Sequence, residues 1–145
     1  MSSCQSTPAA VGFEGQTPIL RVKDMDASLS YYVERLGFKV NWKSPYFACV
    51  SRGRCSLFLS YGDQGHVGGW VWIGVEDAAA LCEEYKRSGA KIRHAPTNYE
   101  WAYEMQVEDL DGNVLRMGSD QKENEPYGEW LDMEGKLWPP APMPK

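Results

Sequence analysis

The sequence predicts an α+β domain of two tandem β-α-β-β-β modules, whose strands form a curved mixed sheet around a cleft. Two observations support this architecture. A strand-helix-strand pattern occurs twice, as VKDMDASLSYYVERLGFKV near residue 22 and as VEDAAALCEEYKRSGAKI near residue 75. Each copy is followed by runs that alternate apolar and polar residues, as strands with one buried face do. Each module therefore contains one helix and four strands.

The length of the chain, 145 residues, suits one domain with a hydrophobic core. We expect a flexible N-terminus at residues 1–15 and the domain at residues 16–120, with modules at about 16–61 and 69–120. Residues 121–145 combine prolines and polar residues with several apolar side chains. Such a segment is too apolar for a free linker, so we expect a C-terminal extension that packs on the body or on a dimer partner.

The two repeats also predict where the helices begin and end. Asp24 or Asp26 can cap the first helix and Asp77 the second, because a short carboxylate accepts hydrogen bonds from the free amides of the first turn. Gly37 and Gly89 suit the left-handed backbone that often ends a helix. The predicted helices span, in order, about residues 27–36 and 78–88.

The composition excludes several classes of protein. A formal net charge of −5 without a basic stripe argues against a nucleic-acid partner. No run approaches the ~18 apolar residues of a membrane span, and the N-terminus lacks the pattern of a signal peptide. We expect a cytoplasmic protein that does not bind membranes. Its four cysteines show neither a CxxC motif nor disulfide-framework spacing, so they are expected to be free thiols.

The strands divide into two faces, because successive side chains point to opposite sides of a sheet. One face is aliphatic and is expected to pack against the helices. The other face mixes aromatic, polar and charged side chains, which suits a surface that binds a ligand. The members of this mixed face are Phe58, Trp70, Trp72, Glu104, Gln106 and Arg116.

Two interpretations of Arg116 are open on the residues alone. It can lie in a ligand pocket, or it can pair with Glu104 or face solvent, as structural ion pairs commonly do. The pair Trp70 and Trp72 favours the pocket, because two tryptophans on a face away from the core usually indicate binding.

The repeated β-α-β-β-β pattern, the opening LRVKDMDASLSYYVERLGF and the turn EDLDGNVLR resemble the vicinal oxygen chelate superfamily over about residues 16–120. This superfamily includes glyoxalases, extradiol dioxygenases and bleomycin-resistance proteins. The resemblance implies the glyoxalase/bleomycin-resistance fold. Metal-dependent members place His or Gln, and Glu, on the opening and closing strands of each module.

In this chain the corresponding metal-ligand positions are Thr17, Phe58, Trp70 and Arg116. A threonine hydroxyl is a poor ligand by itself, and the other three side chains are unsuited to a divalent cation. A guanidinium at a carboxylate position also repels a cation. We therefore expect no metal, no cofactor and no catalytic residue. In this respect the chain resembles the metal-free branch of the superfamily, to which the bleomycin-resistance proteins belong.

Resemblance to that branch implies a homodimer that sequesters a toxic or antibiotic ligand, bleomycin-like and planar or glycopeptide-like, in an aromatic cleft. Trp101 would stack on the ligand, together with Trp42 or Phe47 of the first module. The full set of expected ligand-binding residues is Trp101, Trp70, Trp72, Phe58, Arg116, Glu104, Trp42 and Phe47. Acidic residues such as Glu100 and Asp63 suit a cationic tail or lie in solvent, whereas Arg116 suits an anionic or carbonyl-bearing ligand.

Two other functions are kept as alternatives. The first is a lyase, isomerase or dioxygenase-type enzyme of the same superfamily with an atypical site, in which Glu104 acts as a base and Arg116 stabilises an oxyanion. The second is a structural or regulatory module that binds a protein through its C-terminal extension.

Overall fold

A computed structural model of the chain describes residues 10–140. The predicted flexible N-terminus lies partly outside this range, and so do residues 141–145 of the predicted extension. The first module contains β1 (Ile19–Arg21), α1 (Met25–Glu34), β2 (Lys39–Lys43), β3 (Phe47–Arg52) and β4 (Cys55–Ser60). The second contains β5 (Trp70–Gly74), α2 (Ala78–Ser88), β6 (Lys91–Asn98), β7 (Tyr103–Glu108) and β8 (Val114–Ser119). Two short strands follow, β9 (Trp130–Leu131) and β10 (Leu137–Trp138).

Each module forms its own four-stranded mixed sheet. The N-terminal sheet has the order β1-β4-β3-β2 and the C-terminal sheet has the order β5-β8-β7-β6. In each sheet the first and last strands of the module pair in parallel, and the other pairs are antiparallel. The predicted α+β class with two β-α-β-β-β modules is confirmed. Strands β9 and β10 form a separate antiparallel hairpin.

Both helices begin at a carboxylate cap. The Asp24 side chain accepts a hydrogen bond from the Ala27 amide at 3.0 Å, so α1 begins two residues earlier than predicted. Asp77 accepts from the Ala80 amide in the same way, and α2 has its predicted bounds. Gly89 ends α2 with φ of 82°, a backbone conformation that glycine adopts without strain. No helix in residues 10–140 is long and apolar enough to span a membrane.

A single hydrophobic core joins the two modules. It is formed by the aliphatic faces of both sheets together with residues of both helices, as the alternation of the strands predicts. Tyr32 and Tyr85, one from each helix, are its largest fully buried side chains. The mixed face of each sheet is consequently the one turned away from this shared core.

The turn after β7, residues 109–113, attaches the second module to the first. Asp109 is buried and accepts hydrogen bonds from the Tyr32 hydroxyl at 2.8 Å and from the backbone and side-chain nitrogens of Asn113, both at 2.9 Å. Burial raises the pKa of Asp109 above its usual value, and it raises the pKa of Tyr32 well above its own. The EDLDGN segment is therefore a structural joint between the modules.

Candidate ligand-binding site

The mixed face of the C-terminal sheet presents the predicted residues of the second module in adjacent rows. Trp72 of β5 is paired with Arg116 of β8, which is paired with Gln106 of β7. In the next row, Glu104 is paired with Gly118. These pairings follow from the parallel register of β5 with β8 and the antiparallel register of β7 with β8, and they bring the side chains of separate strands within hydrogen-bonding distance.

Glu104 is the centre of this face. One of its carboxylate oxygens accepts hydrogen bonds from the indole nitrogen of Trp72 at 3.0 Å, from that of Trp101 at 2.6 Å and from Arg116 Nη2 at 3.2 Å. The other oxygen accepts from Arg116 Nε at 2.8 Å. The side chain is only 2% exposed. We call Glu104, Trp72, Trp101 and Arg116 the Glu104 cluster.

Three of these four bonds end on Oε1 and one ends on Oε2, so both carboxylate oxygens are bound by N–H groups of the protein. A carboxylate that is 2% exposed and paired with Arg116 is poorly placed to take a proton from a ligand, so the geometry gives no support to Glu104 as a general base. The sequence left open whether Arg116 lies in a ligand pocket or pairs with Glu104. In the structure it pairs with Glu104 and also keeps 32% of its side chain exposed on the mixed face. Its charge is largely balanced where a ligand would meet it.

Trp72 lies across a glycine of the neighbouring strand. A Cβ added at Gly118 would be 2.7 Å from Trp72 Cζ2 and 3.2 Å from Trp72 Cε2 and Glu104 Cβ, closer than real side chains approach. A glycine at this position is required for the indole ring to lie against the sheet and reach Glu104. The ring is still 48% exposed, so it offers a surface to a ligand.

Trp101 comes from the loop between β6 and β7 rather than from a strand. Its ring stacks on Tyr99 with centroids 4.8 Å apart and an interplanar angle of 6°. Arg116 lies 5.9 Å from the Trp101 ring centroid, within the range of a cation–π contact. Trp101 is 53% exposed although its position is fixed by Tyr99 and Glu104. It is therefore a preorganised aromatic surface.

Arg93 is a member of this face that the sequence reasoning missed. It hydrogen-bonds the side-chain oxygen of Gln106 and the backbone oxygen of Asp132, and its guanidinium lies 5.3 Å from the Trp70 ring centroid. Strand alternation could have predicted this position, because the neighbouring Ile92 packs on the core and Arg93 therefore points to the mixed face. The predicted site residue Trp70 is therefore engaged by Arg93 rather than by the Glu104 cluster.

The predicted site residues of the first module form a second aromatic group on the N-terminal sheet. The ring centroids of Trp42, Phe47 and Phe58 lie 5.1 to 5.9 Å apart, and we call them the N-sheet aromatic cluster. Trp42 is 49% exposed. Within residues 10–140, no aromatic contact, hydrogen bond or ion pair joins this cluster to the Glu104 cluster. One chain thus carries two separate aromatic surfaces.

The family model described as Glyoxalase/Bleomycin resistance protein/Dioxygenase superfamily matches residues 15–117. The chain belongs to this superfamily. The matched segment contains the first module, the second module as far as residue 117 within β8, and all eight predicted ligand-binding residues. Residues beyond 117, including the hairpin of β9 and β10, lie outside the family match.

Several solved structures are similar to this member of the superfamily. The bleomycin-binding protein of Streptomyces verticillus, in complex with copper(II)-bleomycin, is 28% identical with a TM-score of 0.67; the match covers 77% of this chain and 100% of that one. A bleomycin-binding protein in complex with bleomycin is 25% identical with a TM-score of 0.64, covering 75% and 100%. TnmS3, an antibiotic-binding protein from a Streptomyces strain, is 20% identical with a TM-score of 0.68, and the match covers 77% of this chain and 100% of that one. At this identity the similarity supports only a shared fold. No curated protein matches the chain.

The side chains at the expected metal-ligand positions do not suit a divalent cation. The register places Phe58 opposite Ile19 and Arg116 opposite Trp72, so neither closing strand faces a ligating side chain across its parallel pair. The nearest carboxylate, Glu104, already accepts four N–H groups. No group of three His, Cys, Asp or Glu residues suited to a metal occurs within the described residues 10–140.

Proposed function

We propose that this chain is a small-molecule binding protein that sequesters a planar aromatic or antibiotic ligand without a metal and without changing it chemically. One observation carries the proposal: two half-exposed indole rings, Trp72 and Trp101, are fixed by the same buried carboxylate. Rings held in place before binding lose little conformational freedom when a ligand stacks on them, so more of the stacking free energy appears as affinity.

The charges of the site indicate the class of ligand. Arg116 is balanced by Glu104, so the exposed part of the Glu104 cluster is nearly neutral and aromatic. Such a surface favours a planar aromatic group over a free anion. Similarity to two bleomycin-binding proteins supports an antibiotic of this kind, with its planar aromatic part on Trp101, and bleomycin is the reference ligand against which compact planar compounds are compared. Glu100 and Asp63 are exposed and suit a cationic substituent.

We further propose that the protein acts as a homodimer. In this arrangement the N-sheet aromatic cluster of one copy faces the Glu104 cluster of the second, so that Trp42, Phe47 and Phe58 complete the cleft. The exposure of Trp42 supports this proposal, since a large exposed aromatic group on a face away from the core usually indicates binding. Analytical ultracentrifugation tests it: a mass twice that of the chain is expected, and a monomer at every concentration would contradict it.

Tryptophan fluorescence of the full chain tests the binding function. The protein is titrated with bleomycin and with a panel of compact planar aromatic compounds, and each ligand is then recovered and weighed by mass spectrometry. We expect saturable quenching by at least one ligand, which is recovered unchanged. A ligand whose mass changes catalytically would show that the protein is an enzyme, and no quenching by any ligand would contradict the proposal.

A matched pair of variants tests the site itself. Trp101→Ala removes a ring that faces the ligand and is expected to weaken binding at least about tenfold, or ~1.4 kcal/mol, as exposed tryptophan anchors commonly do. Tyr61→Ala removes an exposed aromatic ring outside both clusters and is expected to leave the affinity unchanged. Equal affinity of the two variants would place the ligand elsewhere.

A further inference from the structure

The chain carries a C-terminal segment that lies outside the family match. The family match ends at residue 117, and the two bleomycin-binding proteins are covered completely by 75% to 77% of this chain. Residues 121–140 nevertheless have a defined course in the structure, and they end in the hairpin of β9 and β10. This segment therefore follows the two modules and lies beyond the family match.

Asn98, at the end of β6, anchors the start of this segment. Its buried side chain donates to the carbonyls of Lys122 and Glu125 at 3.0 and 3.1 Å and accepts from the Lys122 amide at 2.8 Å. The Gly128 amide then donates to the Asn98 carbonyl at 2.9 Å. A Cβ at Gly128 would lie 2.4 Å from Thr97 Cγ2, so the backbone passes directly over the sheet.

The hairpin has its own internal support. Trp130 and Trp138 stack with ring centroids 5.7 Å apart at an angle of 12°. The Asp132 carboxylate accepts from the Trp138 indole at 2.8 Å and from the amides of Glu134 and Lys136 at 2.9 and 2.8 Å. These bonds, first among them that from Trp138, hold the pKa of Asp132 below its usual value. The hairpin is thus a defined element with a single turn geometry.

The hairpin covers one half of the mixed face. Gln106, which is 4% exposed, donates from its side chain to the Leu131 carbonyl at 2.8 Å, and Arg93 donates to the Asp132 carbonyl. These contacts lie over β6 and β7. Trp72 on β5 and Trp101 in the loop before β7 stay half exposed. The open surface is therefore bounded on one side by the hairpin.

We propose that the hairpin, residues 130–138, is a specificity element that forms a wall of the ligand site and restricts it to a compact planar aromatic molecule. This inference rests on the proposed function and narrows its ligand class. Gln106 is the neighbour of Arg116 across the strand pair, so the wall begins beside the Glu104 cluster. An extended glycopeptide lying across the sheet would have to displace the hairpin, whereas a compact fused-ring compound stacks on Trp72 and Trp101 without touching it.

Calorimetric titration of the full chain and of a chain ending at Gly128 tests the proposal, with proflavine as the compact probe and bleomycin as the extended one. Truncation at this point keeps the bonds of Asn98 and removes the hairpin. The full chain is expected to bind proflavine more tightly than bleomycin. Truncation is expected to strengthen bleomycin binding at least about tenfold and to change proflavine binding by less than about threefold.

The outcomes separate this inference from the function on which it rests. If proflavine binds and bleomycin affinity is the same in both chains, the wall is refuted and the binding function stands. If neither probe binds either chain, both fail. If the truncated chain does not fold, Asp132→Ala gives the same comparison, because it removes the carboxylate that holds the turn. Its control is Met133→Ala, at a 77% exposed position of the same turn.

Discussion

Replacement of Glu104 by glutamine tests the centre of the site without changing its size. Glutamine keeps one oxygen that can accept from the indoles of Trp72 and Trp101, but it places an NH₂ group where Arg116 donates. The guanidinium then loses its charged partner and faces a donor at 2.8 Å, the present distance from Arg116 Nε to the carboxylate. The variant thus removes the ion pair and leaves the packing intact.

The magnitude follows from burial. Removing one partner of a fully buried ion pair costs about 3–5 kcal/mol. Arg116 keeps 32% of its side chain exposed, so solvent compensates part of the lost charge pairing, whereas Glu104 is 2% exposed. We therefore expect a loss of about 2–3 kcal/mol in the free energy of unfolding, near the cost of losing hydrogen bonds to a charged group. For a chain of this length that corresponds to a melting temperature lower by about 6–10 °C.

Urea denaturation monitored by circular dichroism measures this loss in the free energy of unfolding. Glu108→Gln is the control variant. Glu108 lies on the same strand and pairs with Lys91 at 3.3 Å, but the lysine is 66% exposed. Such a surface pair contributes about 0–1 kcal/mol, so the control is expected to remain within that range of the parent chain. Equal stability of the two variants would refute the central place of Glu104 in the cluster.

Two further substitutions, one of them with a matched control, test the packing of the mixed face and the ionisation of a buried tyrosine in the core. Gly118→Ala forces a Cβ against Trp72 and is expected to cost about 1–3 kcal/mol in urea denaturation and to weaken ligand binding, whereas Gly74→Ala meets that ring at an ordinary 3.4 Å and is expected to do neither. Burial raises the pKa of Tyr85 from 10.0 to about 12, so its contribution to stability is complete below pH 10 and is lost between pH 10 and 12, up to ~2.7 kcal/mol. Tyr85→Phe is expected to reduce this loss of stability at alkaline pH. It is expected to cost only ~1 kcal/mol at neutral pH, because the Leu36 carbonyl that loses the Tyr85 hydroxyl still accepts from Arg52 at 3.0 Å. An unchanged dependence of stability on pH between 10 and 12 would contradict the raised pKa of Tyr85.

The repeat and the strand alternation in the sequence predict most of the fold. Alternation placed Leu115 and Met117 in the core and Arg116 on the mixed face, as the structure confirms. It works here because the side chains on a strand have a period of two and one face of each sheet contributes to the shared core. The helix bounds depended on the choice of cap, and the use of Asp24 rather than Asp26 moved α1 by two residues.

Less of the candidate site could be predicted from the sequence. Glu104 and Arg116 share a face by alternation, so their pairing was one of the two interpretations that the residues left open. That Trp72 and Trp101 both donate to Glu104 depends on a loop conformation and on Gly118, against which the Trp72 ring lies, and no periodic pattern predicts either. Within residues 10–140, the aromatic residues expected to line one cleft form two groups with no aromatic contact between them.

The covering of the mixed face by the hairpin lay beyond sequence reasoning for a different reason. The extension was expected to pack on the body or on a partner, but its place depends on Asn98, Gln106 and Arg93, whose side chains hydrogen-bond to its backbone. Register shifts in β6, between Ile92 and His94 and again before Thr97, change the faces along that strand. Tertiary hydrogen bonds to backbone carbonyls leave no signal in residue type.

Indole N–H resonances of the ¹⁵N-labelled chain test the central claim most directly. The chain has six tryptophans, so six such resonances are expected, and single Trp→Phe variants assign them. On titration with proflavine and with bleomycin, the resonances of Trp72 and Trp101 are expected to shift most, because both rings stay bonded to Glu104 while a ligand stacks on them. A ligand that binds while these two resonances stay unmoved would contradict the account.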